Sequence, residues 1–191
     1  MSLAAADDPG TRGPKGGGLP LRPPVPDDAA AMWRMARANG LDANSPYYYL
    51  AFCRDFAGTS IVATRRDQPV GFVTGYRRPA QPGTLFVWQV AVDHGARRQG
   101  VGLAMLSALA GRLASSGVDH VEATVTTSNG ASSALFRALA RVAGAPVAEA
   151  TLFTAAQFPA GSGHEPEILV RIGPLAAAAG ARPMTERRRR P

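Results

Sequence analysis

Apolar residues in the middle of the chain recur with two different periods. Runs and alternations of β-branched and aromatic residues predict strands, whereas apolar residues three and four positions apart predict helices. Predicted strands cover residues 21–24, 61–65, 70–76, 85–92, 119–126, 147–152 and 168–172, and predicted helices cover residues 26–38, 46–56, 101–115 and 130–143. Antiparallel strands come first and a β-α-β-α-β run follows. The pattern therefore predicts an α/β fold whose mixed, mostly antiparallel central sheet is flanked by helices.

Capping and turn residues support several of these boundaries. Asp27 and Asp28 lie at the predicted start of the first helix, where the helix dipole favours acidic side chains. Ser45 followed by Pro46 is a start signal for the second helix. Residues 66–69 separate two strand-like runs and predict a hairpin.

The two ends of the chain differ from the middle in composition. Residues 1–19 are rich in Gly, Pro and Asp, and residues 176–191 run from an alanine tract into arginines. Such segments lack the apolar residues needed for a packed core. We expect disordered tails at 1–19 and 176–191, around one folded domain at 20–175 without an internal repeat.

The net charge of +7 could suggest nucleic-acid binding. However, Arg187–Arg190 supply four of these charges at the end of the chain, and Lys15 is the only lysine. We interpret the charge as a compositional bias and the arginine tail as solvated rather than as a binding arm, so no nucleic-acid partner is expected. No apolar run is long enough for a membrane span, no signal peptide is evident, and Cys53 is the only cysteine. These features favour a cytoplasmic protein without a membrane partner.

A glycine-spaced turn follows the strand predicted at 85–92. Arg97 and Gly100 lie in this turn, and Gly102 is the second residue of the helix that begins at Val101. Free amides and the positive end of the helix dipole meet there, and glycine lets an oxyanion approach the backbone closely. The spacing differs from two common nucleotide-binding motifs, Gly-x-x-x-x-Gly-Lys-Ser/Thr and Gly-x-Gly-x-x-Gly. The sequence therefore predicts a phosphate site of another kind.

This turn resembles the acetyl-CoA pyrophosphate loop of the GNAT acetyltransferase superfamily. The resemblance implies a GNAT-like fold in which the main chain of Val90 and Val92 binds the pantetheine arm of acetyl-CoA. Asn129 would also reach this arm, although the same residue could simply cap a helix. The residues implied for cofactor binding are Val90, Val92, Arg97, Arg98, Gly100, Gly102 and Asn129.

The superfamily usually has a tyrosine acid seven residues after this asparagine. Phe136 stands there instead, so solvent or the proton of the amine would have to protonate the leaving thiolate.

Further motifs resemble one family within this superfamily, the L-2,4-diaminobutyrate acetyltransferases of ectoine synthesis. They occur in the same order at residues 41–47, 53–56, 71–76, 84–92, 122–126, 129 and 164–167. The resemblance covers residues 20–174. It implies acetyl transfer from acetyl-CoA to the 4-amino group of diaminobutyrate by a homodimer without a metal. Gly130 departs mildly from the family, which more often has a bulkier residue there.

A diamino acid needs carboxylates for its ammonium groups and a donor for its carboxylate, because unpaired buried charge is costly. The resemblance implies substrate contacts from Asp42, Asn44, Tyr47, Trp88, Thr124 and Glu165. Three of these positions have a structural alternative: Asp42 could make a turn, Trp88 could belong to the core, and Glu165 could be solvated surface. Because Tyr47, Tyr48 and Tyr49 are consecutive, they cannot all face one way, and family likeness selects Tyr47.

Direct attack by the amine, without a covalent enzyme intermediate, is the mechanism we expect. Glu122 is the candidate base because its side chain should point opposite to Val121 and Ala123, although it could also be an exposed strand carboxylate. The Val90 amide is the candidate oxyanion donor. Neither residue adjacent to Cys53 is a His or an acid that would suggest an acetyl carrier, so we expect a buried thiol.

Two other functions compete with this interpretation. One is a GNAT enzyme that acetylates a different amine, such as an antibiotic or a protein N-terminus. The other, from another class, is a non-catalytic module that senses acyl-CoA or associates with nucleic acid. Several acidic positions favour a small dication as substrate, and the absence of a basic aromatic pattern argues against a nucleic-acid module.

Overall fold

A computed structural model describes residues 18–42 and 44–175. Its strands are β1 (Leu21–Arg22), β2 (Ile61–Arg65), β3 (Gln68–Arg78), β4 (Gln81–Val92), β5 (His120–Thr126), β6 (Val147–Phe153) and β7 (Glu167–Ile172). Its α-helices are α1 (Ala29–Ala38), α2 (Pro46–Asp55), α3 (Val101–Ala114) and α4 (Gly130–Ala143). No helix in these residues is long and apolar enough to cross a membrane.

All seven strands form one sheet in the order β1-β2-β3-β4-β5-β7-β6. Every neighbouring pair is antiparallel except β4 and β5, which run parallel because α3 crosses over between them. The predicted mixed, mostly antiparallel sheet flanked by helices is therefore confirmed.

Helices cover the two faces of this sheet at different places. On one face, α3 and α4 pack on the main core, which includes Leu85, Leu109 and Val121. On the other face, α1 and α2 cover a smaller core around Tyr49 and Phe72. This second face continues beyond α1 and α2 across β4, β5 and β7, where Trp88 is 48% exposed. We call this continuation the open face.

A bulge in β4 lies next to the point where β4 and β5 separate. Thr74 of β3 pairs with Gln89, but the next residue, Gly75, pairs with Val87, so Trp88 is the extra residue. Pairing between β4 and β5 ends at Val87. Beyond this point β5 pairs only with β7. The strands β4 and β5 therefore diverge and leave a cleft between them.

Most element boundaries agree with the sequence pattern, and the differences have local causes. The first strand ends at Arg22 rather than at residue 24, because the two prolines that follow cannot donate to a ladder. The first hairpin turns at Arg66 and Asp67 alone, with φ of 49° and 61°, so β3 begins at Gln68. The predicted tails at 1–19 and 176–191 lie outside the described residues, apart from residues 18 and 19.

Candidate active site

The cleft between β4 and β5 presents main-chain amides along one side. The Asp93 amide points to β3 and donates to the Val70 carbonyl oxygen at 2.8 Å. Because successive amides of an extended strand point to opposite sides, those of Val90 and Val92 point away from β3 into the cleft. The sequence resemblance singled out these two amides.

The turn before α3 adds more free donors at the mouth of this cleft. Gly100 caps the helix in the left-handed region at φ 75°, and Arg98 also has a positive φ of 58°. Within α3 the first amide with a helical partner is that of Ala104, which donates to the Gly100 carbonyl. The amides of residues 101–103 are therefore free to bind an anion at the positive end of the helix.

Gly102 lies where α3, α4 and β4 meet. A Cβ added there would be 3.5 Å from Leu135 of α4 and 3.8 Å from Val92 of β4, which are ordinary contacts. Alanine is therefore sterically acceptable at this position. A larger side chain would press on Leu135 and Val92 and displace the start of α3.

The Arg97 side chain turns back toward α1 rather than toward these amides. Its Nη2 donates to Asn39 Oδ1 at 2.6 Å, and its Nε donates to the Val92 carbonyl at 3.3 Å. Arg97 therefore fixes the turn against β4, whereas the Arg98 side chain is exposed.

Asn129 caps α4, because its Oδ1 accepts from the Ser132 amide at 3.0 Å. The structural alternative for Asn129 is thus confirmed, while a contact with pantetheine through its remaining groups stays a prediction. Phe136 is 4% exposed and belongs to the main core. Because a phenyl ring carries no acidic proton, Phe136 cannot protonate the thiolate.

The bulge turns Trp88 out of the core and into a group of aromatic rings. The rings of Tyr76 and Phe86 lie 6.5 and 6.4 Å from the Trp88 ring, and that of Tyr48 lies 6.3 Å away. The core alternative for Trp88 is therefore wrong. We call these four residues the aromatic group, and they lie on the open face beside the bulge.

Tyr48 is the tyrosine that α2 directs to the aromatic group. Its hydroxyl lies 3.1 Å from Thr74 Oγ1, and burial raises the pKa of the Tyr48 phenol well above its usual value. Tyr47 is 73% exposed, and the Tyr49 hydroxyl donates to Gln89 Oε1 at 2.9 Å inside the smaller core. The described contacts therefore do not bring Tyr47 to the site.

The loop between α1 and α2 is tied to the bulge. Gln89 Nε2 donates to the Asp42 carbonyl at 3.1 Å, which leaves the exposed Asp42 carboxylate close to the bulge. Nδ2 of Asn44, in the same loop, is buried and has no partner among the described residues. Both are groups that a polar ligand could use.

Glu122 lies on the open face of β5, opposite Val121 and Ala123 as predicted, but it is 1% exposed rather than free. Its Oε2 accepts from Arg78 Nη1 at 2.7 Å, and its Oε1 accepts from Arg171 Nη1. The alternative of an exposed strand carboxylate is therefore wrong. To act as the predicted base, Glu122 would have to give up an arginine, and the geometry does not favour that role.

Glu165 binds the turn before α4 and not the aromatic group. Its carboxylate accepts hydrogen bonds from the Thr127 hydroxyl, from the Ser128 hydroxyl and, at 3.0 Å, from the Ser128 amide. These hydrogen bonds lower the pKa of Glu165 below its usual value. Solvated surface is therefore an incomplete description, because Glu165 holds the residues that precede Asn129.

Thr124 and Cys53 are the two remaining positions for which the sequence predicted a role. Thr124 is half-buried on β5, next along the open face after Glu122, where β5 has left β4. Cys53 is buried against Met32, and burial raises the pKa of its thiol to about 11. Such a thiol remains protonated and suits the buried role that the sequence predicted.

Sequence reasoning missed Arg78, Arg171, Tyr48 and Tyr76. A signal for Arg171 exists, because Arg171 and Glu122 each interrupt an apolar strand with opposite charge. Pairing of β5 with β7 places these two residues side by side. The strand order that makes them neighbours could not be read from the pattern alone.

Comparison with known proteins is consistent with this geometry. The model of the acetyltransferase (GNAT) family matches residues 28–140. The L-2,4-diaminobutyric acid acetyltransferase of Nocardia farcinica is 48% identical over 157 residues, which cover 82% of this chain and 80% of that protein. Its counterpart from Streptomyces coelicolor is 49% identical over 153 residues, or 78% of this chain and 89% of that protein.

Solved structures agree with the sequence relatives. The diaminobutyrate acetyltransferase of Paenibacillus lautus, solved with L-2,4-diaminobutyric acid and coenzyme A, superposes with a TM-score of 0.78 at 41% identity. The match covers 83% of this chain and 96% of that chain. The ribosomal-protein-S18-alanine N-acetyltransferase of Escherichia coli, at 20% identity and a TM-score of 0.63, shares the fold.

Proposed function

Because the chain belongs to the GNAT acetyltransferases and, among them, to the family of L-2,4-diaminobutyric acid acetyltransferases, we propose that it acetylates the 4-amino group of L-2,4-diaminobutyrate. Acetyl-CoA is the acetyl donor, and N4-acetyl-L-2,4-diaminobutyrate is the product that a later enzyme cyclises to ectoine. The observation that supports this most strongly is the cleft itself. Its free amides suit acetyl-CoA, and it ends at an open face with aromatic and charged side chains.

The proposed binding of acetyl-CoA uses backbone groups. The amides of Val90 and Val92 would bind the amide groups of pantetheine as a neighbouring strand would. The free amides at the start of α3 would bind the pyrophosphate. This arrangement would place the thioester near the bulge at Trp88.

The proposed reaction is direct transfer. The 4-amino group is protonated near neutral pH and must release a proton to solvent before its nitrogen attacks the thioester carbon. The Val90 amide would stabilise the negative charge on the thioester oxygen, a role worth about 3 kcal/mol. The C–S bond then breaks, and the thiolate takes up a proton from solvent or from the new amide nitrogen.

Selection of the amine would use side chains beside the bulge. The aromatic group suits an ammonium group through cation–π contacts. The Asp42 carboxylate suits the second ammonium, and Asn44 Nδ2 provides a donor. Thr124 stays a candidate on the opposite side of the cleft.

We also propose that the protein is a cytoplasmic homodimer. The one cysteine, Cys53, is a buried free thiol, in keeping with a reducing compartment. All residues of the edge strand β6 are exposed, and Leu152 and Phe153 give this edge an apolar character. Sedimentation of the purified protein at twice the mass of the chain would support the dimer, and a monomer at micromolar concentration would refute it.

An acetylation assay tests the proposed activity. Purified protein and acetyl-CoA are incubated with diaminobutyrate, ornithine, lysine or an aminoglycoside, and NMR identifies the acetylated nitrogen. We expect acetylation of diaminobutyrate at the 4-nitrogen, with kcat/KM at least about tenfold above the other amines. The proposal would be refuted if the protein acetylated another amine efficiently and diaminobutyrate no faster than the reaction without enzyme.

A further inference from the structure

The cluster of Arg78, Arg171 and Glu122 carries one more positive than negative charge. Gln81 Oε1 also accepts from both arginines, at 3.3 and 3.4 Å, but contributes no charge. The side chains of Arg78 and Arg171 are 37% and 35% exposed, whereas that of Glu122 is 1% exposed. A buried carboxylate thus anchors two guanidinium groups that reach the surface of the open face.

Each guanidinium keeps most of its donors free. Within the described part of the chain, Arg78 and Arg171 donate only from Nη1, which leaves Nε and Nη2 of both without a partner. A guanidinium has five N–H donors in a planar fork that matches a carboxylate. Two such forks held by one shared anchor form a site for an anion.

The position of the cluster relates it to the bulge. Glu122 is the register partner of Phe86 on β4, and Phe86 precedes the bulge residue Trp88 by two positions. Two residues along a strand span roughly 7 Å. Three carbon atoms separate the 4-nitrogen of diaminobutyrate from its carboxyl carbon, so one molecule can reach from the bulge to the arginines.

We propose that Arg78 and Arg171 bind the α-carboxylate of the amino-acid substrate and that Glu122 is the positioning residue that orients them. The inference rests on the proposed function and adds the determinant that distinguishes an amino acid from a simple diamine. The substrate carboxylate would neutralise the excess charge of the cluster. It would also hold the 4-amino group toward the thioester.

The test compares substrates that differ only in the carboxylate. Diaminobutyrate carries it, 2,4-diaminobutanamide replaces it by a neutral amide, and 1,3-diaminopropane lacks it. We expect the protein to prefer diaminobutyrate in kcat/KM. In Arg78→Ala and Arg171→Ala, kcat/KM for diaminobutyrate should fall about 10- to 100-fold, as expected for a lost hydrogen bond to a charged group. The values for the two analogues should stay within about twofold.

Arg77→Ala is the matched control. Arg77 is adjacent on β3 but lies on the opposite face, where its Nη1 donates to the Ser116 carbonyl at 3.1 Å. We expect this change to leave the preference for diaminobutyrate intact. Arg171→Lys keeps the positive charge but not the planar guanidinium, so it should lose part of the preference for diaminobutyrate. This variant replaces the alanine variants in the test if they do not fold.

The outcomes separate this inference from the proposed function. If the unmodified protein does not acetylate diaminobutyrate, the proposed function is refuted. If it does, but folded arginine variants keep the preference or lose activity equally with all three substrates, the carboxylate site is refuted and the function stands.

Discussion

The two halves of the cleft are built from different parts of the polypeptide. The half assigned to acetyl-CoA consists of main-chain amides at Val90, Val92 and the start of α3, with glycines that keep them accessible. The half assigned to the amine consists of side chains on the open face, including the aromatic group and the arginine cluster. One half depends on where the backbone goes, and the other depends on which side chains are present.

This difference separates what the fold supplies from what the side chains supply. A backbone site needs only a strand, a bulge and a glycine turn, all of which belong to the fold itself. A side-chain site changes with each substitution on β3, β4, β5 or β7. Substitutions in the two halves should therefore affect different kinetic constants.

The largest effect is expected at the backbone site. Gly102→Val adds two γ-carbons that press on Leu135 and Val92 and displace the start of α3, which carries the free amides, while Gly102→Ala adds a Cβ at ordinary contact distance. Loss of two hydrogen bonds to a charged group costs about 3–6 kcal/mol, or roughly 10²- to 10⁴-fold in the Kd for acetyl-CoA. Calorimetry should show this loss for valine and a much smaller one for alanine. Undiminished affinity in a folded Gly102→Val protein would remove this turn from the cofactor site.

The sequence was sufficient to predict most of the backbone half. The run from 85 to 92 and the spacing of Gly100 and Gly102 are local, and they predicted β4, the turn and α3 within a few residues. The cause is that strands, turns and helix starts are determined by neighbours in the chain. The bulge at Trp88 was not predicted, because it depends on the pairing of β4 with β3.

The next largest effect is expected at Glu122. Glu122→Gln removes the charge that anchors both arginines, so the KM for diaminobutyrate should rise about tenfold while kcat with 1,3-diaminopropane and its pH dependence stay unchanged. A base would behave differently, because its loss should lower kcat by roughly 10²-fold or more with both amines. Steady-state kinetics from pH 6 to 9 distinguish the two results. An equal fall of kcat with both amines would restore Glu122 as the base.

Side chains of the amine half were predicted only in part. Asp42, Asn44 and Trp88 lie near the bulge, whereas Tyr47 is exposed and Glu165 binds the turn before α4. Family likeness selected residues but could not tell which of three consecutive tyrosines a helix directs inward. The arginine cluster was missed because its members come from β3, β5 and β7, which only the strand order brings together.

A smaller effect is expected at Glu165, and it shows whether this residue belongs to the acetyl-CoA half or to the amine half of the cleft. Because it holds Thr127 and Ser128 before α4, Glu165→Ala should raise the KM for acetyl-CoA a few-fold and leave that for diaminobutyrate unchanged. Asp42→Ala, beside the bulge, should do the reverse. The lowered pKa of Glu165 means that its contacts persist above the usual carboxyl pKa and are lost as the pH falls through the lower value. A change confined to the KM for diaminobutyrate in Glu165→Ala would return it to the substrate site, as the sequence predicted.

The smallest effect is expected for residues 176–191. Every group that we assign to the two halves of the cleft lies between Asp42 and Arg171, so truncation after Leu175 should keep kcat/KM within about twofold, or less than about 0.5 kcal/mol in the barrier. Activity and sedimentation of the truncated protein check this. Loss of activity, or tight DNA binding by the intact protein at physiological salt, would show that the arginine tail has a function.

Amide NMR of the isotope-labelled protein tests the division of the cleft most directly. Coenzyme A is added first and diaminobutyrate second. The account predicts that coenzyme A shifts the backbone amides of Val90, Val92 and residues 101–103, and that diaminobutyrate then shifts the Trp88 indole, the Asn44 side-chain amide and the Nε–H groups of Arg78 and Arg171. Saturation with coenzyme A that leaves the amides of Val90, Val92 and Gly102 unshifted would contradict it.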